Sequence, residues 1–480
     1  MITGLSRSPI AASPRLNTTS WRRPGFGASG EHQGKIVLCT AGLPARGKTH
    51  CSRSLHRYLT WLGIKCKVFS LSDHRRKILG SGTELPRDYF FFEGRSPTTD
   101  ALRQKVADSL EDEVVEYLLG GAGQVAIYDA NNQTVKGRTA IRKRFEPLGI
   151  QTMFIENQCD RDDIIETNIR SVKLSSPDYK NWDPNKAVEN YWQRIRDHER
   201  HYEPIEQPSF PYVKLINVGE TVVVNNIQGY LQSKVVFFLM NLQNRRRTLW
   251  LARVSEPRFI EHSYKADTDL SKLGWDYAEH LKDCMIKRRQ QVIELRKDVD
   301  PIAAENPLKI WVSSRRRCIS TSKPLQALGY RVIERGQMTE INPGGIDGMS
   351  LEEIKLYYPD EVERSQQDPY RHRYPRGESY HDLSVRLEPV IHELEREPGD
   401  MLIIAHASVI RCLLAYLQGR APQAIPFLNP KRGDLIEINP TSYGVKTEVI
   451  KFWRPPEEHR DAERSFGDAF RTFGLVCLAI

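Results

Sequence analysis

Residues 42–49 read GLPARGKT, with the apolar run Ile36-Val37-Leu38 before them and a helical pattern after. The Gly-x4-Gly-Lys-Thr spacing is that of a Walker A loop: glycines let main-chain N–H groups close around phosphate oxygens, and the following helix N-terminus adds its dipole. The whole stretch, Gly42, Leu43, Pro44, Ala45, Arg46, Gly47, Lys48 and Thr49, is therefore the candidate nucleotide loop. Lys48 would reach the outer phosphates and the Thr49 hydroxyl would hold Mg2+. Such chemistry wants a carboxylate at the end of another strand. QVAIYDANN supplies Asp129 after Val125-Ala126-Ile127. There it could hold Mg2+ or orient an acceptor hydroxyl; the alternative is a turn residue beside Asn131 and Asn132. The transition state of phosphoryl transfer is loose, so positioning and charge neutralisation matter more than a strong base.

Arginines recur in the first half: Arg75-Arg76, Arg103, Arg138 and Arg194. The planar guanidinium fork grips phosphate, so several converging could hold a phosphorylated acceptor. Singly, each also reads as a solvated surface charge.

The elements that must position these groups alternate. The pattern predicts strands over 35–40, 65–71, 124–130, 151–156 and 212–218, with helices between them and a long amphipathic helix over 99–119 ending at Gly120-Gly121. Strand–helix alternation argues for a parallel sheet covered on both faces. A second α/β unit follows a helix ending near Asn241 and the run NRRRT, with strands expected over 249–252, 309–314, 401–405 and 434–438 and a loop-rich stretch over 340–376. The expected division is an arm at 1–33, a first domain at 34–245, a second at 246–455 and a tail at 456–480.

The chain of 480 residues carries 70 Lys and Arg against 61 Asp and Glu, a net charge of +9. The basic residues are dispersed and do not alternate with aromatics, which suits anionic small molecules and not nucleic acid. The eight cysteines show no CxxC pair and no ligand spacing with histidine, as expected in a reducing, cytoplasmic setting without zinc or a disulfide framework. No apolar stretch approaches the ~20 residues of a membrane span. The first 33 residues, rich in Ser, Pro, Gly and Arg, read as a disordered arm, with a transit peptide as the alternative. The final CLAI fits the shape of a prenylation box, though no polybasic segment precedes it.

GLPARGKT, DANN, ENQCD, VKLSSPDY, RYPRGESY and RLEPVI with HELE occur in that order between about Gly34 and Trp453. In these the chain resembles the bifunctional 6-phosphofructo-2-kinase/fructose-2,6-bisphosphatase family. The resemblance implies an N-terminal P-loop kinase domain that uses ATP and Mg2+ to convert fructose 6-phosphate to fructose 2,6-bisphosphate. It implies a C-terminal phosphoglycerate-mutase-like, histidine-phosphatase α/β domain, and a possible homodimer. It places Arg75, Arg103, Arg138, Lys173 and Arg194 at or near sugar-phosphate or nucleotide contacts, Asn168 to Lys173 along the nucleotide, and Asp129 beside the sugar 2-hydroxyl. Cys159 is carried over as an active-site neighbour; from its own surroundings it reads as a core cysteine.

The departures fall on the sugar-phosphate side. Ser72 and His74 stand where the family leads one to expect Gly and Tyr, Asn131 replaces Thr, Gly137 an Arg and His198 a Tyr. One lost charge-assisted contact costs on the order of 1.5–3 kcal/mol, about one or two decades in affinity. The second half should open with Arg-His-Gly-Glu, the His attacking phosphorus. Here Arg253-Val254-Ser255-Glu256 stands instead, and an isopropyl group has no lone pair. Ser255 points to the opposite face of the strand, and PRFIEH lacks an expected asparagine. Arg253, Arg316, Glu340 and His406 look like surviving parts of that pocket, either still binding a phosphate or kept as structural remnants. The expected function is a 6-phosphofructo-2-kinase without bisphosphatase activity. The alternatives are a P-loop kinase for another small sugar phosphate and a non-catalytic sensor of ATP or sugar phosphates.

Overall fold

The structure is a computed structural model that describes residues 34–80, 85–86, 88–175, 177–179, 182–243, 247–255, 264–297, 306–441 and 444–455. The arm at 1–33, the tail at 456–480 and the segment Glu256 to His262 lie outside the described residues, as do the expectations attached to them.

The first sheet has strands β1 (Ile36–Ala41), β2 (Cys66–Ser70), β3 (Val125–Asp129), β4 (Gln151–Gln158), β5 (Tyr212–Ile216) and β6 (Thr221–Asn225), in the order β2-β3-β1-β4-β5-β6. β1 and β3 are buried along their whole length, as expected of central parallel strands covered on both faces. Helices α1 (Lys48–Trp61), α2 (Leu71–Leu79), α3 (Pro97–Leu119), α4 (Val135–Phe145), α5 (Asp162–Ser175), α6 (Pro184–Glu199) and α7 (Gly229–Asn241) connect and cover them. Local sequence fixes their starts. The side chains of Ser70, Ser96 and Thr134 each accept a backbone N–H three residues on, and Pro97 opens α3.

The second sheet has β7 (Leu249–Arg253), β8 (Leu308–Ser313), β9 (Arg331–Arg335), β10 (Asp400–Ala405), β11 (Asp434–Thr441) and β12 (Gly444–Lys451), in the order β12-β11-β7-β10-β8-β9. Its helices are α8 (Lys272–Lys297), α9 (Arg316–Gln326), α10 (Leu351–Tyr357), α11 (Pro359–Gln367), α12 (Tyr380–Arg396) and α13 (Ala407–Gln418).

Both domains have the expected α/β layout with mostly parallel sheets, and the structure adds three features. Neither sheet is wholly parallel: β6 runs antiparallel to β5, and β11 is antiparallel to both β7 and β12. The edge strands β6, β9 and β12 carry no buried apolar run, so their sequences lack the signal that marks central strands. The stretch over 340–376 also holds α10 and α11, short helices whose starts are marked by a Ser350 capping box and by Pro359.

One apolar core runs through both domains. Leu55, Tyr58, Leu59 and Trp61 of α1 pack with Phe238 of α7 and with Leu387, Ile391, Cys412 and Tyr416 of α12 and α13. The Tyr58 and Phe238 rings stack at 4.4 Å, and Trp61 Nε1 donates to the Cys412 carbonyl at 3.2 Å. Thus the helix that begins at the phosphate loop is bedded against the second domain.

Candidate active site

The loop leaves β1 at Ala41 and enters α1 at Lys48. Gly42 has φ +131°, and a Cβ there would meet the Asn157 carbonyl oxygen at 2.4 Å, so this approach to β4 requires glycine. Gly47 precedes α1 with φ 83° and no side-chain cap, which leaves the helix's first N–H groups available to an anion. Two residues brace the loop. Asn168 Nδ2 donates to the Ala45 carbonyl at 3.0 Å, and Arg46 donates to the Pro44 carbonyl and pairs with Glu199, each at 3.2 Å. Pro44, Ala45, Gly47, Lys48, Thr49 and Asn168 line a cleft of about 960 Å³. Gly42, Leu43 and Arg46 stand behind that lining; the Leu43 carbonyl accepts from Lys48 Nζ at 2.6 Å.

Parallel pairing of β1 with β3 carries Asp129 to the same place. Cys39 registers with Tyr128, and Thr40 Oγ1 lies 3.3 Å from Asp129 Oδ1. Burial pushes the Asp129 carboxyl up, against the pull of the Lys48 ammonium and the hydroxyls of Thr49 and Thr40. Burial pushes Lys48 down to about 7, opposed by Asp129 and assisted by Arg46. A polyanion beside Lys48 favours its ammonium form. The Thr49 hydroxyl, hydrogen-bonded to Asp129, and that carboxylate suit a hard cation such as Mg2+, which takes its remaining oxygens from water and phosphate.

Arg75, Arg103, Asn131, Arg194 and His198 line the same cleft. Arg75 makes a two-pronged pair with Asp178 at 3.0 and 2.7 Å, which Arg76 joins at 2.9 Å. Arg103 donates to the Tyr89 carbonyl, and burial pushes it down to about 10 with help from Arg95. Arg194 donates to the Tyr179 hydroxyl at 2.5 Å. Asn131 accepts the Gly42 N–H through its carbonyl at 2.9 Å. His198 is buried, with Nδ1 2.7 Å from the Gln133 side chain and Nε2 3.0 Å from the Phe90 carbonyl. Burial pushes its ring down to about 4, so it is neutral at pH 7. Both ring nitrogens thus face acceptor oxygens, the Gln133 side-chain oxygen and the Phe90 carbonyl, and a neutral ring can donate to one of them.

Some expected site residues stand elsewhere. Arg138 is fully buried outside the cleft lining and donates to the carbonyls of Asn132, Glu203 and Pro204, so it stitches the loop after β3 to the segment after α6. Cys159 packs with Ile165, Ile169 and Ile195 in a small apolar cluster, and burial pushes its thiol up. It is a core residue here, outside the cleft lining. Lys173 lies on α5 with its side chain outside the described residues.

A second group of expected site residues lies at the ends of β7 and β10, where Arg253 registers with Ala405. Val254 donates its N–H to the Ala405 carbonyl at 2.9 Å and buries its side chain among Trp250, Ala252 and Leu281. Ser255 is 1 % exposed, and its hydroxyl has no hydrogen-bond partner among the described residues. His406 precedes α13, with Nδ1 3.2 Å from Glu340 and Nε2 3.4 Å from Cys318 Sγ. The arginine that meets this pair is Arg317, which pairs with Glu340 and lies 3.2 Å from His406 Nδ1. Arg316, expected there, engages Asp267 through its backbone N–H. Burial opposes ionised Glu340, yet the His406 ring and the Arg317 and Arg315 guanidinium groups hold it below the usual carboxylate range.

Two family models match in tandem: 6-phosphofructo-2-kinase over residues 27–246 and histidine phosphatase superfamily (branch 1) over 260–452. The chain is 37% identical over 418 residues to the chicken 6-phosphofructo-2-kinase/fructose-2,6-bisphosphatase, covering 86% of this chain and 84% of that protein. It is 34% identical over 427 residues to the yeast (Saccharomyces cerevisiae) fructose-2,6-bisphosphatase, covering 88% and 90%. It belongs to the 6-phosphofructo-2-kinase/fructose-2,6-bisphosphatase family. Among solved structures, the α-ribazole phosphatase of Shigella flexneri aligns with 42% of this chain and 96% of its own length, at 20% identity and a TM-score of 0.34.

For a member of this family the cleft holds more cationic side chains than the sequence singled out. Arg53 and Arg95 also line it. Arg53 is one turn beyond Thr49 on α1, a spacing that could have marked it. Arg95 sits in an irregular stretch with no periodic signal. The run Tyr89-Phe90-Phe91-Phe92, absent from the expected site, could have marked this stretch, and Tyr89, Phe90 and Phe92 line the cleft.

Proposed function

We propose that this chain is a 6-phosphofructo-2-kinase that transfers the γ-phosphoryl group of Mg-ATP to the 2-hydroxyl of fructose 6-phosphate and has lost the bisphosphatase reaction. Family membership supports the kinase activity. The observation that carries the reading is one cleft lined by Lys48, Thr49 and Asp129 together with Arg75, Arg103 and Arg194.

Backbone N–H groups of the loop and the start of α1 hold the nucleotide's phosphates. Mg2+, held by Thr49 and Asp129, would neutralise phosphate charge. Lys48 takes up charge that develops on the β,γ-bridging oxygen as the bond loosens. Asp129 accepts a hydrogen bond from the attacking 2-hydroxyl and turns its lone pair toward phosphorus. The arginines fix the 6-phosphate, so that the hydroxyl meets the phosphoryl group in line.

The second half of the proposal rests on Val254. Arg253, Arg317, Glu340 and His406 remain, but the residue at the nucleophile's place is aliphatic and buried, and removing a nucleophile costs about 10⁴–10⁶ in rate. The free thiols suit a reducing compartment, and we place the enzyme in the cytoplasm.

The test incubates the protein with Mg-ATP and fructose 6-phosphate beside a Lys48→Met control. Fructose 2,6-bisphosphate made only by the unmutated protein is the expected result. Nucleotide binding without turnover on this or any sugar phosphate would overturn the kinase reading, and phosphate release from fructose 2,6-bisphosphate would overturn the second half.

A further inference from the structure

Among the guanidinium groups that line the cleft, Arg75, Arg95, Arg103 and Arg194 come from four separate stretches of chain, and like charges at close range repel. Something must hold them in place. Acid partners do part of this: Arg75 pairs with Asp178, and Arg95 with Asp100 at 2.9 Å. A carboxylate that pins an arginine also competes with the anion that the arginine is there to bind. Arg103 and Arg194 are held by neutral partners instead, the Tyr89 carbonyl and the Tyr179 hydroxyl.

One short segment supplies an aromatic face to each of the four. The Arg103 guanidinium carbon lies 5.4 Å from the Tyr89 ring centroid. Arg194 lies 4.0 Å and Arg75 5.3 Å from that of Phe90. Arg95 lies 4.8 Å from that of Phe92. An aromatic face attracts a cation through its quadrupole and carries no net negative charge, so it orients the fork and leaves the N–H donors to a ligand. The segment is itself anchored from α6. His198 Nε2 lies 3.0 Å from the Phe90 carbonyl, and the Asp197 carboxylate accepts the N–H groups of Phe92 and Glu93.

We propose that Tyr89, Phe90 and Phe92 form an aromatic comb that spaces these arginines for the acceptor's phosphate, with Phe90, shared by Arg75 and Arg194, as its principal positioning residue. The proposal rests on the reading that a sugar phosphate is the acceptor in this cleft. The comb touches no reacting atom, so it sets acceptor affinity and leaves nucleotide binding alone.

The test compares the full chain with Phe90→Leu and Phe90→Trp. Each protein is titrated with fructose 6-phosphate and, separately, with a non-hydrolysable ATP analogue by calorimetry; turnover is then measured. Phe90→Leu keeps an apolar side chain of similar size and removes the π face. The expected result is a rise of about tenfold in Kd and KM for fructose 6-phosphate, with the analogue's Kd within about twofold of the unmutated protein. Phe90→Trp, which keeps the face, should stay within about threefold for the sugar phosphate. Turnover with unchanged fructose 6-phosphate constants in Phe90→Leu overturns the comb and leaves the kinase reading intact. Binding of fructose 6-phosphate that weakens in Phe90→Leu, with no turnover by any of the proteins, keeps the comb and overturns the kinase reading. Absence of any fructose 6-phosphate binding by the unmutated protein overturns both, whereas equal weakening toward the ATP analogue in Phe90→Leu overturns the comb alone.

Discussion

Tyr58 donates its hydroxyl hydrogen to Glu388 at 2.7 Å, joining the helix that starts at the phosphate loop to α12 of the second domain. Nearby, Glu395 is 3 % exposed and faces Arg247 at 3.3 Å and Arg57 at 3.6 Å, with the Tyr416 hydroxyl donating to it at 2.6 Å. Removing one partner of a buried charge cluster strands the others. Glu395→Leu is therefore expected to cost about 3–5 kcal/mol in urea unfolding, and Tyr58→Phe about 1 kcal/mol. Because the core is continuous, both domains should unfold in one transition. Separate transitions, or a neutral Glu395→Leu, would show that α1 does not depend on the second domain.

Val254→His places an imidazole at the end of β7, where Arg253, Arg317, Glu340 and His406 are already gathered. Hydrolysis of fructose 2,6-bisphosphate is expected to rise at least about 100-fold above the unmutated background, a fraction of what a nucleophile is worth. No rise in a folded variant would mean that the surrounding pocket has closed as well.

Nucleotide affinity should fall as pH rises. Burial holds the free Lys48 at about 7, so above that pH its ammonium must be recharged at the expense of binding. Between pH 7 and 9 the Kd for ATP should climb about tenfold per pH unit until other groups intervene. Lys48→Arg, always charged, should flatten the slope even if its affinity is lower. The sign for folding is opposite: the folded pKa lies below the unfolded one, so stability rises with pH between them. A pH-independent Kd would contradict the assignment of Lys48 to the phosphates.

His198 stays neutral in the fold, at about 4 against an unfolded value near 6.5. Its contribution is present above 6.5 and is lost as pH falls toward 4, where both states are protonated. That loss amounts to at most about 3 kcal/mol. Urea midpoints measured from pH 7 to 4 should fall, and less steeply in His198→Gln. Equal slopes would show that another group drives the acid destabilisation.

The phosphate loop was legible because its chemistry is local: glycine spacing, lysine and threonine all lie within one turn of chain between a strand and a helix. Asp129 was legible because a buried strand ending in a carboxylate has few other uses. The arginines were a harder case. Arg75, Arg103 and Arg194 reach the cleft and Arg138 does not, yet nothing in their neighbouring residues separates them; the difference is which face of a helix the tertiary fold turns inward. Arg316 and Arg317 differ by one residue, and a shift of one position on a helix turns the side chain by about 100°. The strands β6, β9 and β12 escaped notice because an exposed edge strand need not be apolar. Cys159 shows the reverse: the family resemblance carried it to the site, yet it packs with Ile165, Ile169 and Ile195, partners on α5 and α6.

The central claim is that this protein makes a phosphoryl ester at the sugar's 2-hydroxyl and does not remove it. Phosphorus NMR of one reaction, containing protein, Mg-ATP and fructose 6-phosphate, follows both halves at once. A fructose 2,6-bisphosphate resonance that grows as ATP is consumed and then persists is the predicted result. ATP consumed with no such resonance, or a resonance that decays into fructose 6-phosphate and inorganic phosphate, would contradict it.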